Sequence, residues 1–273
     1  LNNPVCMGVI NVTPDSFSDG GDFSKNPDNS FEVDISKVLH RVESYVEEGA
    51  SIVDIGGEST RPGATDVAVD IELNRTIPVI EAVKKNLDIP LSIDTSSPIV
   101  MAEAISAGVD IINDVRALSA PGAIDVALNS SVAVCLMHMK GEPRTMQKTP
   151  QYSNVVSEVT EFLRERIAAC KRVGDVENRL LIDPGFGFGK TVNHNYQLLK
   201  SLSSFQDLGL PLLVGISRKS MIGAVVNRPA KERIYGTIAA TTLAISNGAS
   251  VIRTHDVAAT MDAIRVHCTY RSA

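Results

Sequence analysis

The sequence predicts a parallel α/β barrel, a (β/α)₈ or TIM barrel, on three observations. Eight short apolar runs recur along the 273 residues, and a polar or glycine-rich loop and then a stretch of helical spacing alternate with them. The runs are apolar throughout instead of alternating with polar residues, as parallel strands covered on both faces must be. Eight βα units could also stay open as a doubly wound sheet, but that strand count favours closure.

The strands are expected at Val5 to Asn11, Ser51 to Ile55, Leu91 to Ile93, Ile111 to Asn113, Ala133 to Met137, Leu180 to Ile182, Leu212 to Val214 and Ser250 to Ile252. Helical spacing joins Ile35, Val38, Leu39, Val42, Tyr45 and Val46, and again Leu73, Ile77, Ile80, Val83 and Leu87. A third helix carries Val155, Val159, Phe162, Leu163, Ile167 and Cys170. Gly49-Ala50, Ala107-Gly108 and Gly248-Ala249 each separate a helical stretch from a strand, where a left-handed glycine ends the helix. Two loops are long, Thr13 to Asn29 and Gly56 to Asp70, and polar loops of that length at strand ends suggest lids.

One domain covering residues 1–273 is expected, because barrels of about 250 residues form a single domain. Hydrophobic residues make up 44% and charged residues 21%, enough to bury a sizeable core. The net charge of −6 offers no basic field for nucleic acid or an anionic membrane. Cys6, Cys135, Cys170 and Cys268 lie far apart without a CxxC pair, which argues against zinc or a disulfide framework. With no leader-like segment and no long apolar stretch, a cytoplasmic protein is the expectation.

A barrel takes its catalytic groups from the carboxyl ends of its strands. The polar residues there are Asn11, Asp54, Asp94, Asn113, Asp114, His138, Asp183, Ser217, Arg218, Lys219, Arg253 and His255. Any one alone is most simply a cap or turn residue. Their recurrence around the strand ends is what points to a site. Asp94, Asn113 and Asp183 form an acceptor-rich wall suited to a heterocycle whose edge presents adjacent N–H donors. The turn that begins at Asp183 continues through Phe186, Phe188 and Lys190, with glycines that permit close backbone approach. Arg253 and His255 follow the eighth strand, where barrels often bind phosphate. Asn11 offers a single oxygen ligand of the kind Mg²⁺ accepts when substrate phosphates supply others. Gly215 to Ser220 opens a helix whose amides suit a carboxylate.

Read in order, the segments Met7 to Gly21, Asp54 to Gly63, Ser92 to Thr95, Ile112 to Val115, Met137 to Gly141, Asp183 to Lys190, Ser217 to Ser220 and Arg253 to Val257 resemble the dihydropteroate synthase family along nearly the whole chain. The resemblance implies a transferase of folate biosynthesis. It would join 6-hydroxymethyl-7,8-dihydropterin diphosphate to p-aminobenzoate in an SN1-like substitution, with Mg²⁺ as cofactor, and would be open to sulfonamides. By the same carry-over Asp94, Asn113, Asp183 and Lys219 hydrogen-bond the pterin, Val115, Met137, Phe188 and Gly215 line its pocket, and Arg253 stacks on it. Asn11, Arg61, Arg253 and His255 hold the diphosphate, Asn11 also ligating the metal. Thr60, Pro62, Phe186, Ser217, Arg218 and Ser220 surround p-aminobenzoate. The catalytic group is Asp94, Lys219, Arg253, His255 and Asn11, and a homodimer through outer helices is implied.

A methyltetrahydrofolate-binding methyltransferase domain shares the acidic wall but has no use for Asn11, Arg61, Ser217 to Ser220 and His255. A non-catalytic pterin carrier would not need Asn11, Arg253 and His255. A Schiff-base aldolase acting through Lys219 would need an apolar lysine pocket, and Arg218 adjoins that lysine.

Overall fold

The computed structural model describes residues 3–14, 23–24, 31–60, 63–64, 66–174 and 176–273. Eight parallel strands follow one another around a barrel: β1 Val5–Asn11, β2 Ile52–Gly56, β3 Leu91–Asp94, β4 Ile111–Asp114, β5 Ala133–Met137, β6 Leu180–Asp183, β7 Leu213–Val214 and β8 Val251–Thr254. Hydrogen-bonded neighbours run β6-β5-β4-β3-β2-β1-β8-β7. A parallel bridge from Ile182 to Leu212, with the Ile182 amide on the Pro211 carbonyl at 3.0 Å, joins β6 to β7. The expected barrel is therefore present, closed by its shortest strand.

Strand ends differ from the sequence expectation by a residue or more. β3, β4 and β6 run on through Asp94, Asp114 and Asp183. The ladder outlasts the apolar run in these strands, and the side chains of Asp94 and Asp183 border the cavity at the barrel mouth.

The outer ring is built from α1 Ile35–Glu48, α2 Val69–Asn86, α3 Pro98–Ala107, α4 Ala123–Leu128, α5 Val155–Lys171, α6 Val192–Lys200, α7 Ser220–Val226, α8 Ile234–Ser246 and α9 Val257–Ser272. The expected glycine stops are in place: Gly49, Gly108 and Gly248 have φ of 104°, 98° and 99°. At the other ends, Asp34 caps α1 by accepting from the Ser36 and Lys37 amides, and Asn154 caps α5 through Ser157. Among the described residues no helix is long and apolar enough to cross a membrane.

The apolar side chains fall into two groups. The larger fills the layer between sheet and helices. The smaller, Met7, Ile111, Cys135, Leu213 and Val251, lies apart from it, with Ile52 and Leu181 packed against it. Alternation along a strand returns a side chain to the same face every second residue. Stepping two residues on from Ile52, Ile111, Leu181 and Val251 gives Asp54, Asn113, Asp183 and Arg253, so the strands that fill the barrel floor with hydrocarbon fill its upper part with polar groups.

Candidate active site

A cavity of about 290 Å³ opens at the carboxyl ends of the strands. Asn11 of β1, Asp94 of β3, Asn113 of β4, Met137 of β5, Asp183 of β6 and Arg253 of β8 all border it. Val115, Phe188, Gly215, Ser217, Arg218, Lys219, Ser220, His255 and Thr60 join them from the following loops. Of the described residues expected at the site, all but Phe186 border this one space. Arg61 and Pro62 lie outside the described residues.

Beneath the cavity the charges are tightly organised. Arg253 donates from Nε to Asp54 Oδ2 at 2.6 Å and from Nη2 to Asp94 Oδ2 at 2.8 Å. Asn113 Nδ2 donates to the same Asp54 oxygen at 3.3 Å. Two carboxylates share one guanidinium, so burial and Asp54 together leave Asp94 pushed up to about 7 despite the pull of Arg253. The same carboxylates outweigh burial at Arg253 and push it further up, which keeps it a cation. Oδ1 of Asp94 is buried and has no hydrogen-bond partner among the described residues. A buried acceptor left empty is costly, and a ligand donor would satisfy it.

Opposite this cluster, Lys219 donates to the Phe186 carbonyl and sits 4.6 Å from the centre of the Phe188 ring. Burial lowers Lys219 to about 8 although Asp183 pulls the other way. Asp183 is raised by burial, against the pull of Lys219 and of the Gly185 amide that its Oδ1 accepts at 2.7 Å. On the third side, Ser217 Oγ lies 3.0 Å from His255 Nδ1 and accepts from the His255 amide at 3.2 Å.

Residues 7–255 match the family described as pterin binding enzyme. The dihydropteroate synthase of Haemophilus influenzae is 50% identical over 266 residues, 97% of this chain and 94% of its own length. The chain belongs to the dihydropteroate synthase family. Among solved members of that family, the Yersinia pestis enzyme in its sulfonamide drug complex superimposes with a TM-score of 0.94 at 44% identity, over 100% of this chain and 96% of that one. The Xanthomonas albilineans enzyme with 4-aminobenzoic acid gives 0.90 at 46% identity, over 100% and 94%.

Within this family site, three expected residues behave differently from their sequence reading. Phe186 is fully buried in the apolar layer between sheet and helices and does not border the cavity. That corrects its expected place beside p-aminobenzoate, since only its carbonyl is turned to Lys219. Arg218 borders the cavity but pairs with Asp256, its Nε 2.9 Å from Oδ2, on a backbone held at φ 56°. Asp114, among the polar strand ends, serves the fold instead: its carboxylate accepts the Arg116 and Leu118 amides at 2.8 and 2.7 Å and caps a turn.

Other cavity residues were not singled out for the site. Thr13, Met146 and Arg233 border it, and Arg233 is fixed by Nη1 on the Arg218 carbonyl at 2.9 Å. Asp54 stands among the polar strand ends, but nothing in its sequence neighbourhood tells that it anchors Arg253. Met146 and Arg233 belong to no strand-end motif, so only the tertiary structure could bring them in.

The site contains no cage for a cation: among the described residues no group of three or more His, Cys, Asp or Glu side chains is spaced to hold a metal. Beside the carboxylates of Glu58, Asp94 and Asp183, the cavity offers two neutral oxygens, the Asn11 amide and the Thr13 hydroxyl, and the latter is buried without a hydrogen-bond partner among the described residues. Hard neutral oxygens suit Mg²⁺ that arrives with substrate phosphates, and would hold it poorly alone.

Proposed function

We infer that this chain is a dihydropteroate synthase, which joins 6-hydroxymethyl-7,8-dihydropterin diphosphate to p-aminobenzoate and releases diphosphate. The observation that carries the reading is the convergence of Asp94, Asn113, Asp183, Lys219 and Arg253 on one small cavity, in a chain 50% identical to a dihydropteroate synthase.

The pterin enters as the flat group. Asp183 and Asn113 accept and donate along its ring edge, the empty Oδ1 of Asp94 takes a ring N–H, and Lys219 donates to its carbonyl. Met137, Val115, Phe188 and the bare backbone of Gly215 give it apolar walls, and Arg253 covers one face. Arg253, His255, Asn11 and Arg61 receive the diphosphate. Asn11 and Thr13 would offer oxygens to Mg²⁺ arriving with the substrate phosphates, and the ion would supply positive charge beside the leaving diphosphate. As the exocyclic C–O bond breaks, the diphosphate takes the electron pair, and the positive charge left on the methylene spreads into the dihydropterin. Ionised Asp94 lies where it steadies that charge. The aniline nitrogen of p-aminobenzoate then gives its lone pair to the methylene, forming the C–N bond, and loses a proton. No strong base is required, because the arylammonium formed is itself acidic. Thr60, Pro62, Ser217, Arg218 and Ser220 surround the amine substrate, whose carboxylate finds hydrogen-bond donors in Ser220 and the first amides of α7.

The whole barrel acts as one domain. Unpaired Cys6, Cys135, Cys170 and Cys268 support a reducing compartment such as the cytoplasm. Tyr235 and Leu243 of α8 and Val266 and Tyr270 of α9 leave large side chains exposed, which supports a homodimer through the outer ring.

The decisive experiment supplies both substrates with Mg²⁺ and follows diphosphate. Release that needs both substrates and stops with a chelator is expected. Release without the amine would overturn the assignment. Asp183→Ala should abolish tight pterin binding in a folded protein, and sulfonamides should compete with p-aminobenzoate because a sulfonyl group imitates its carboxylate.

A further inference from the structure

The segment between β6 and α6 is gripped from outside the cavity by a buried lysine that the chemistry above does not use. Lys190 is 3% exposed, and its Nζ lies 2.8 Å from the Gly185 carbonyl oxygen, 3.0 Å from that of Phe188 and 3.4 Å from that of His138. Its remaining neighbour is His138 Nδ1 at 2.9 Å. Burial and Lys190 hold the His138 imidazole down to about 2, so the ring is neutral. Burial also holds Lys190 well below its ordinary value, against the pull of Asp183; charged or neutral, its Nζ carries N–H donors for the surrounding carbonyls, and a neutral ring has one acceptor nitrogen to offer it. The ring is held in turn by Phe162, edge-on at 4.9 Å between centroids.

Other anchors hold the segment too, with Tyr152 donating to the Gly189 carbonyl at 2.9 Å, Gln147 donating to the Gly187 carbonyl and the Gly187 amide donating to Asn195 Oδ1 at 2.7 Å, and Lys190 adds the tie between the Gly185 and Phe188 carbonyls. Its backbone folds through left-handed glycines at 185, 187 and 189, with φ of 71°, 82° and 62°. Lys190 ties the first carbonyl of this run to its fourth. The Phe186 carbonyl and Phe188 ring, which lie between, are what Lys219 touches. A side chain at Gly187 would meet the Lys219 stem, so the two run in direct contact.

We propose that Lys190 and His138 form a positioning pair, which sets the 185–189 backbone so that Phe186 and Phe188 aim Lys219 at the pterin. The pair touches neither substrate; it acts through Lys219. This rests on the assignment of the cavity as a pterin site, and the test separates the two.

The test measures the dissociation constant of 6-hydroxymethyl-7,8-dihydropterin diphosphate, together with kcat, KM for p-aminobenzoate and the melting temperature. Lys190→Met keeps the aliphatic stem and removes the donors. His138→Leu removes the acceptor, and His138→Asn restores an acceptor oxygen near the place of Nδ1. Lys190→Met and His138→Leu are expected to weaken pterin binding and lower kcat by roughly tenfold to a hundredfold, with little change in KM for p-aminobenzoate. His138→Asn is expected to recover most of the loss. Should Lys190→Met fail to fold, the two His138 variants decide alone. A fall in melting temperature with pterin affinity unchanged would make the pair merely structural and overturn the proposal, as would a His138→Asn protein no better than His138→Leu. If the parent protein itself binds no pterin, it is the functional assignment that fails.

Discussion

Asp54 Oδ2 accepts the Nε–H of Arg253 at 2.6 Å from the floor of the barrel mouth, and Asp54 is wholly buried. The contact fixes the plane of a guanidinium that otherwise ends on an open cavity. Removing one partner of a buried ion pair leaves a charge uncompensated, so Asp54→Ala should destabilise the protein by about 3–5 kcal/mol. Asp94 still holds the other arm of Arg253, which places the outcome near the lower end. Because Arg253 and Asn113 both lose their shared acceptor, kcat/KM for the pterin diphosphate should fall about a hundredfold or more. Denaturant unfolding and steady-state kinetics check both. A variant as active as the parent would remove Asp54 from the support of Arg253.

The two perturbed groups around the pterin predict a narrow pH optimum. In the proposed mechanism ionised Asp94 accepts a ring N–H and steadies the cationic pterin, and with its pKa raised to about 7 that form is progressively lost as pH falls through that value. Lys219 must be protonated to donate, and with its pKa lowered to about 8 it is lost as pH rises through that value. In the free enzyme kcat/KM should therefore fall on both sides of an interval near pH 7 to 8, the limbs reporting the interacting cluster rather than isolated residues. Asp54→Asn removes a negative neighbour of Asp94, so Asp94 becomes a stronger acid and the acid limb should move to lower pH. In Lys219→Gln the alkaline limb should vanish along with most of the activity. A flat profile from pH 6 to 9 would contradict both assignments.

How far this was legible beforehand follows from the geometry of a barrel. Asp94, Asn113 and Asp183 were readable because each follows an apolar run, and alternation along the strand decides which end residue faces the cavity: Asn113 does and its neighbour Asp114 does not. The same logic picks out Asp54 but not its role, because a sequence separation of 199 from Arg253 leaves no local sign of their pairing. Phe186 was misplaced for a local reason: in an alternating Gly-Phe-Gly-Phe-Gly run nothing distinguishes a ring turned to the core from one turned to the cavity. The left-handed glycines settle that choice, and their φ values are properties of the folded loop. β7, only two residues long, is recognised mainly by its neighbours.

One of those glycines gives a sharp stability test. Gly185 lies at φ 71°, and a Cβ built there would collide with the His138 carbonyl oxygen. Unfavourable backbone and overpacking each cost about 1–3 kcal/mol, so Gly185→Ala should lose roughly 3 kcal/mol or more, and with it the Asp183 orientation that the Gly185 amide fixes. Gly174 has open space around its missing side chain, and Gly174→Ala should stay within about 0.5 kcal/mol of the parent. Thermal unfolding of the two variants side by side makes the comparison.

Thr13 offers the opposite sign. Its hydroxyl borders the cavity, is 3% exposed and finds no hydrogen-bond partner among the described residues. A buried hydroxyl without a partner costs about 1–3 kcal/mol, and valine has nearly the same shape without it. Thr13→Val should therefore leave stability unchanged or raise it by about 1 kcal/mol. If the hydroxyl is kept to meet the diphosphate or its magnesium, the same change must weaken the Mg²⁺-dependent binding of pterin diphosphate while sparing the pterin that lacks the diphosphate. Calorimetric titration with both ligands distinguishes these effects. Equal weakening for both would assign Thr13 to the pterin pocket, and no weakening for either would leave its hydroxyl outside substrate binding altogether.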